Sequence, residues 1–185
     1  NIAIGDATGH GLKAGIMVSA MKSIFTTNAI SMDIRDFFHT ANSGIKSMNL
    51  KRMMMGFTML NLSDHQFEMV NAGMPPVLKY VSKTNTVTEL REHAVPIGAM
   101  RKINFRPVRG TLDNGDALLF LTDGLPELHN SERQMYGYAR ICESFKSIAA
   151  KSPDEIVDFF KTESKTWAGD GDPEDDITLV VIKLK

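Results

Sequence analysis

Three short acidic islands limit what this chain can become: Asp6 in IAIGDATGHG, Asp123 in LLFLTDG and Asp175 in DDITLVVI. Each adjoins an apolar run of the kind that forms a buried strand. An unpaired carboxylate at the end of such a strand is costly. Three of them, far apart in sequence but similarly placed, point to one shared site that needs negative charge. A hard divalent cation meets that need, because it takes oxygens from carboxylates, backbone carbonyls and water.

At 185 residues the chain is long enough for one domain with a sizeable core. Its apolar and charged fractions, 43% and 23%, are those of an ordinary globular protein. A net charge of −1 gives no broad basic field, so nucleic acid is not expected as a partner. A lone cysteine, Cys142, excludes an internal disulfide and agrees with a reducing compartment, so a cytoplasmic location is expected. In the helical stretch ARICESFKSIAA it reads as a small buried hydrophobe rather than a reactive thiol. No apolar run approaches the roughly 20 residues of a membrane span, and no signal-like segment opens the chain, so no membrane contact is expected. The chain begins directly on a strand, Ile2 to Ile4, with no initiating methionine. It therefore reads as a piece whose upstream part is missing.

Apolar spacing predicts a helix from Gly11 to Asn28 with Leu12, Ile16, Met17, Ala20, Met21 and Ile24 on one face. A second helix is predicted from Ile34 to Lys46, capped by Asp33, with Ile34, Phe37, Phe38, Ala41 and Ile45 inward. A hairpin then joins MMGFTMLNLS to QFEMVNA, and another pairs Val77 to Val81 with Thr86 to Leu90. The Asn114-Gly115 turn predicts a third hairpin, between Phe105 to Thr111 and Ala117 to Thr122. Helices return from Arg140 to Ala150 and again after Ser152-Pro153-Asp154-Glu155, a capping box with Pro at the first helical position. A strand from Ile177 to Leu184 closes the chain. Segregated helices and antiparallel strands make this an α+β fold.

Two motif matches fail on inspection. Gly9-His10-Gly11-Leu12-Lys13-Ala14 fits a dinucleotide fingerprint, but a second helix and hairpins follow it instead of a parallel strand, and Asp33 is a helix cap. Gly9 and Gly11 are better read as a sharp strand-to-helix turn that exposes Asp6 and the Ala7 carbonyl. Taken alone, Asp6 reads equally as a turn cap. The acids around Gly171 lack the glycine and the final acid of a calcium loop. Asp170, Asp172 and Glu174 therefore read as solvated loop charges, and Asp175 and Asp176 as the better ligand candidates. His10 reads as ordering the turn by hydrogen bonding. Met53, Met54 and Met55 read as core filling, with an adaptable partner surface as the alternative. Lys51 and Arg52 read as a solvated turn.

Five motifs in order resemble the PPM family of metal-dependent serine/threonine phosphatases, closest to its bacterial SpoIIE/RsbU-like branch. They are GDATGHG, NAGMPP at Asn71 to Pro76, PIG at Pro96 to Gly98, LTDGLPE at Leu121 to Glu127 and DDIT at Asp175 to Thr178. The resemblance covers essentially the whole chain, 1–185, as a single domain. It implies a four-layer α-β-β-α sandwich of two antiparallel sheets flanked by helix pairs, here lacking its first strands. It implies two Mn²⁺ or Mg²⁺ ions, with Asp6 bridging them, the Ala7 carbonyl on one, and Asp123 and Asp175 on the other. Water held between the ions would attack the phosphorus of phosphoserine or phosphothreonine. A further acidic ligand of the family lies upstream of GDATGHG and outside this sequence, which weakens one of the two ion sites. Met74 stands where family members often carry His.

The same resemblance implies a small phosphorylated regulator as substrate, of the anti-anti-sigma type. It also implies an upstream sensor or receiver module, in a longer signalling protein of which this is the C-terminal part. A homodimer is among the assemblies it allows. The reading from a different class is a catalytically degenerate phosphatase fold used for binding or signal transmission. Retention of Asp6, Asp123 and Asp175 argues against that.

Overall fold

The computed structural model describes residues 1–50, 53–91, 94–169, 171 and 175–184. The readings of Lys51, Arg52, Asp170, Asp172 and Glu174 lie outside these. The described chain is mixed α+β, with two antiparallel four-stranded sheets and four helices. It divides into two units: Asn1–Met74 with Arg91–Thr111, and Pro75–Leu90 with Leu112–Lys185. Among the described residues no helix is long and apolar enough to cross a membrane.

The first unit holds β1 (Ile2–Ala7), α1 (Leu12–Asn28), α2 (Ile34–Ser47), β2 (Met55–Ser63), β3 (Gln66–Ala72) and β6 (Val108–Thr111). Its strands run in the order β1-β2-β3-β6. β2 and β3 meet at a two-residue turn, where Asp64 and His65 both take positive φ, 46° and 68°. Two such residues match the right-handed twist of the strands they join. The Asp33 side chain caps α2 by accepting from Arg35 N at 2.9 Å. All five predicted inward residues of α2 are buried. Phe37 and Phe38 pack there on Phe57, and Phe38 meets Phe105 at 5.1 Å between ring centres.

α1 departs from its predicted face. Met17 and Met21 are buried, but Leu12 is 81% exposed and Ile16 is exposed too. Ala20, Ile24 and Phe25, in the second half of the helix, are its other side chains packed on the core. Periodicity marks a face; it does not say over how much of its length that face meets a partner.

The second unit holds β4 (Val77–Val81), β5 (Thr86–Leu90), β7 (Ala117–Leu121), α3 (Tyr138–Ile148), α4 (Pro153–Ala168) and β8 (Leu179–Lys183). Its strands run β5-β4-β7-β8. The capping box at α4 forms as expected, the Ser152 hydroxyl and Glu155 carboxylate each satisfying the other's backbone N–H. Lys183 Nζ donates to the carbonyls of Ala149, Ala150 and Lys151 at 2.6–2.8 Å. It thereby satisfies acceptors that the end of α3 leaves open.

The third predicted hairpin does not exist. β6 pairs with β3 and β7 with β4 and β8, so the two strands lie in different sheets. The Asn-Gly turn does form, closed by Asp116 N donating to Asp113 O at 2.9 Å, with Gly115 at φ 89°. It is held to Leu184 by Gly115 N and to Ser82 through the buried Asp116 carboxylate, which accepts from Ser82 N at 2.9 Å. Turn chemistry sets a local bend, whereas the partner of each strand is set by where its apolar face is covered.

Candidate metal centre

In the first unit β1 runs past the predicted Ile4 to Ala7, so Asp6 is itself a strand residue, half-buried and paired in register with Gly56. Gly56 lets the neighbouring chain approach closely there: an added Cβ would stand 2.8 Å from Met74 Sδ and 3.2 Å from the Gly73 carbonyl, so the Met74 side chain would have to move. Ala7 pairs with Met55. Both main-chain groups of Met55 bond instead to Ile97, at 2.9 Å each, so this rung is not hydrogen-bonded and the Ala7 carbonyl lies outside the β1–β2 ladder. Thr8 then closes the strand by exchanging bonds with Met54, Thr8 N to Met54 O at 2.9 Å and Met54 N to Thr8 Oγ1 at 3.0 Å. Gly9 and Gly11 take φ 81° and 76° and turn the chain into α1, as their types predict.

His10 differs from its reading: it is exposed and makes no hydrogen bond among the described residues. Thr8 does the ordering ascribed to it, through a hydroxyl that sequence gave no reason to single out. The PIG segment is anchored from α2. Gly98 N donates to Asn42 Oδ1 at 2.9 Å, Asn42 Nδ2 donates to Met100 O at 3.1 Å, and Lys46 Nζ donates to Gly98 O at 2.7 Å. Met55 is buried at the start of β2, in keeping with core filling, and Met53 packs partly buried against the same core.

In the second unit Asp123 follows β7 and Asp175 precedes β8, two strands that pair directly. The structure brings their carboxylates together, with an oxygen of each within 4.8 Å of the other. Asp175 is exposed, and its Oδ1 accepts from Asp176 N at 2.8 Å. Asp123 is half-buried, and its Oδ1 is fully buried without a hydrogen-bond partner. Native structures rarely leave a buried carboxylate oxygen unsatisfied. The Asp123 carboxylate also lies close to a second carboxylate, that of Asp175, which raises the cost of holding both charges.

The loop that follows Asp123 is tied to α4. Trp167 Nε1 donates to Leu128 O at 3.1 Å, and the Tyr136 hydroxyl donates to Glu163 at 2.7 Å. Arg140 lies over the Trp167 ring at 4.2 Å. Cys142, on α3, is half-buried against the same core, as a structural thiol would be.

The donor set tests whether a cation fits. Asp123 and Asp175 supply hard oxygens close enough to share one ion, and the orphaned Asp123 Oδ1 is the type of atom a divalent cation would satisfy. Asp6 and the Ala7 carbonyl offer the same chemistry from the first unit. The residues present fit a hard divalent cation.

A family model described as Stage II sporulation protein E (SpoIIE) matches residues 1–185. Phosphoserine phosphatase RsbU of Bacillus subtilis is 23% identical over 197 residues, which cover 100% of this chain and 56% of that protein. The chain therefore spans little more than half the length of this relative. Among solved structures, the SiaA-PP2C domain of Pseudomonas aeruginosa superposes with a TM-score of 0.82 at 19% identity, covering 99% of this chain and 75% of that one. The PP2C phosphatase domain of SpoIIE from Bacillus subtilis, solved with a fragment of its regulatory domain, gives a TM-score of 0.76 at 22% identity. It covers 98% of this chain and 53% of that one. The fold is that of PP2C phosphatase domains, and the family match runs the length of the sequence. This chain belongs to the SpoIIE family.

Proposed function

We propose that this chain is a metal-dependent phosphoprotein phosphatase domain that hydrolyses phosphoserine or phosphothreonine on a small regulatory protein in bacterial signalling. The observation that carries the reading is the buried, partnerless Asp123 Oδ1 beside the Asp175 carboxylate. In this reading Asp6 and the Ala7 carbonyl contribute from the end of β1 to the same centre as Asp123 and Asp175. Asp6 would serve both Mn²⁺ or Mg²⁺ ions, and Asp123 and Asp175 would hold one of them. When bound, the ions supply a water of lowered pKa and a clamp on the phosphoryl oxygens. The residues' own task is to hold their oxygens fixed at the ends of paired strands, so that the site is organised before substrate arrives. The phosphoserine phosphatase RsbU and the regulatory domain of SpoIIE support, by kinship, phosphoserine hydrolysis and an upstream control module, and the substrate in this reading is of the anti-anti-sigma type. We place the domain in the cytoplasm, where a lone thiol stays reduced.

Phosphate release from a phosphoserine protein tests this, with Mn²⁺ and with EDTA, for the chain, an upstream-extended chain and Asp123→Asn. The proposal expects Mn²⁺-dependent release that EDTA and Asp123→Asn both abolish. An extended chain that stays inactive in excess Mn²⁺ would make the domain a binding module instead. Full activity in Asp123→Asn would refute the site.

A further inference from the structure

The β7–β8 ladder ends in an irregular rung between the two carboxylates. Its last regular pair is Leu121 with Leu179. At the next position Thr122 N donates to Thr178 O at 3.1 Å, as a ladder requires. The return bond is different, because Thr178 N donates to the Thr122 hydroxyl at 3.0 Å rather than to the Thr122 carbonyl. The same hydroxyl donates to the Asp176 carbonyl at 3.1 Å. One side chain, 3% exposed, thus replaces a backbone acceptor and reaches two residues further along the opposite chain.

Gly124, on the other side of Asp123, completes the arrangement. A Cβ there would collide with the Asp176 carbonyl and stand 3.4 Å from the Asp175 carbonyl. The chain entering β8 therefore crosses close over Gly124 before it meets Thr122. Two contacts, one residue to either side of Asp123, fix the segment that begins with Asp175.

We infer that Thr122 is the positioning residue of this centre: its hydroxyl, with the space left by Gly124, holds Asp175 beside Asp123. The inference rests on the metal reading above. It predicts a group that acts through another's placement, touching neither cation nor substrate. Groups that orient metal ligands commonly change affinity by about ten- to hundredfold when removed.

Calorimetric titration with MnCl₂, alongside thermal melting, tests this on the 185-residue chain and on Thr122→Val, Thr122→Ser and Asp123→Asn. Valine keeps the shape and removes both hydroxyl bonds, whereas serine keeps them. The expected result is that Thr122→Val melts cooperatively but binds Mn²⁺ about tenfold or more weakly, and that Thr122→Ser binds as the wild type does. A folded Thr122→Val with wild-type affinity would overturn the inference, as would equal losses in the valine and serine variants. If Thr122→Val does not melt cooperatively, Gly124→Ala carries the test, with weakened Mn²⁺ binding expected and wild-type affinity overturning. Unfolding of both would also overturn it, since the contacts would then support the fold rather than the centre. A wild type that takes up no Mn²⁺ would bring down the metal reading and this inference with it. Binding by the wild type and not by Asp123→Asn, with Thr122→Val unaffected, would remove the positioning role alone.

Discussion

The phenol of Tyr136 is buried, donates to the Glu163 carboxylate at 2.7 Å and meets Trp167 edge-on. Burial first, and the Glu163 bond second, push its pKa up from 10.0 to about 12. The unfolded chain releases this proton near 10.0, while the folded chain keeps it to about 12. Above the lower value the unfolded state binds fewer protons, so this contribution is complete below it and is lost as pH rises to the upper one. Tyr136→Phe is expected to cost about 1 kcal/mol at neutral pH. The gap between wild type and variant should close as urea unfolding is followed through the alkaline window. A gap that stays constant there would contradict the assignment. Nothing in the sequence marked Tyr136, because its partner stands 27 residues away on another element. Of the acids of DGDPEDD, Asp170, Asp172 and Glu174 lie outside the described residues. Asp175 adjoins an apolar run, and the structure sets it beside Asp123.

Among the elements, what is decided within a few residues was legible. The Asp33 cap and the Ser152–Glu155 box both form, because each bond spans two or three residues and needs no distant partner. Ser152→Ala is expected to lower the unfolding free energy by about 1 kcal/mol, read from the urea midpoint. No change in midpoint would mean that packing alone starts α4. What depends on distant cover was not legible. α1 shows a full apolar stripe in sequence, yet its first turn lacks core partners. The Asn114-Gly115 turn forms as written, yet joins strands of different sheets, since β6 is claimed by β3 and β7 by β4 and β8. β8 begins at Leu179, two residues later than expected. Just before it, Thr178 N bonds to the Thr122 hydroxyl rather than to a ladder carbonyl.

Over the whole molecule, each unit is assembled from two separate stretches of chain. Residues 1–74 alone lack β6 and the core side chains Ile97, Ile103 and Phe105. Such a fragment is expected to show no cooperative thermal transition by circular dichroism; a sharp one would mean that the first stretch folds without the second. The site was legible as residue types in order, five motifs spread from Asp6 to Thr178. Its strongest physical sign, the orphaned Asp123 oxygen, was not, because burial belongs to the fold and not to the sequence. The central proposal is that Asp6, Asp123 and Asp175 are all needed to bind a divalent cation. Titrating Mn²⁺ while following the electron paramagnetic resonance signal of the free aqueous ion tests it most directly. The account predicts saturable uptake by the wild type that is lost in Asp6→Asn and in Asp123→Asn alike. Uptake by Asp6→Asn equal to that of the wild type would contradict it.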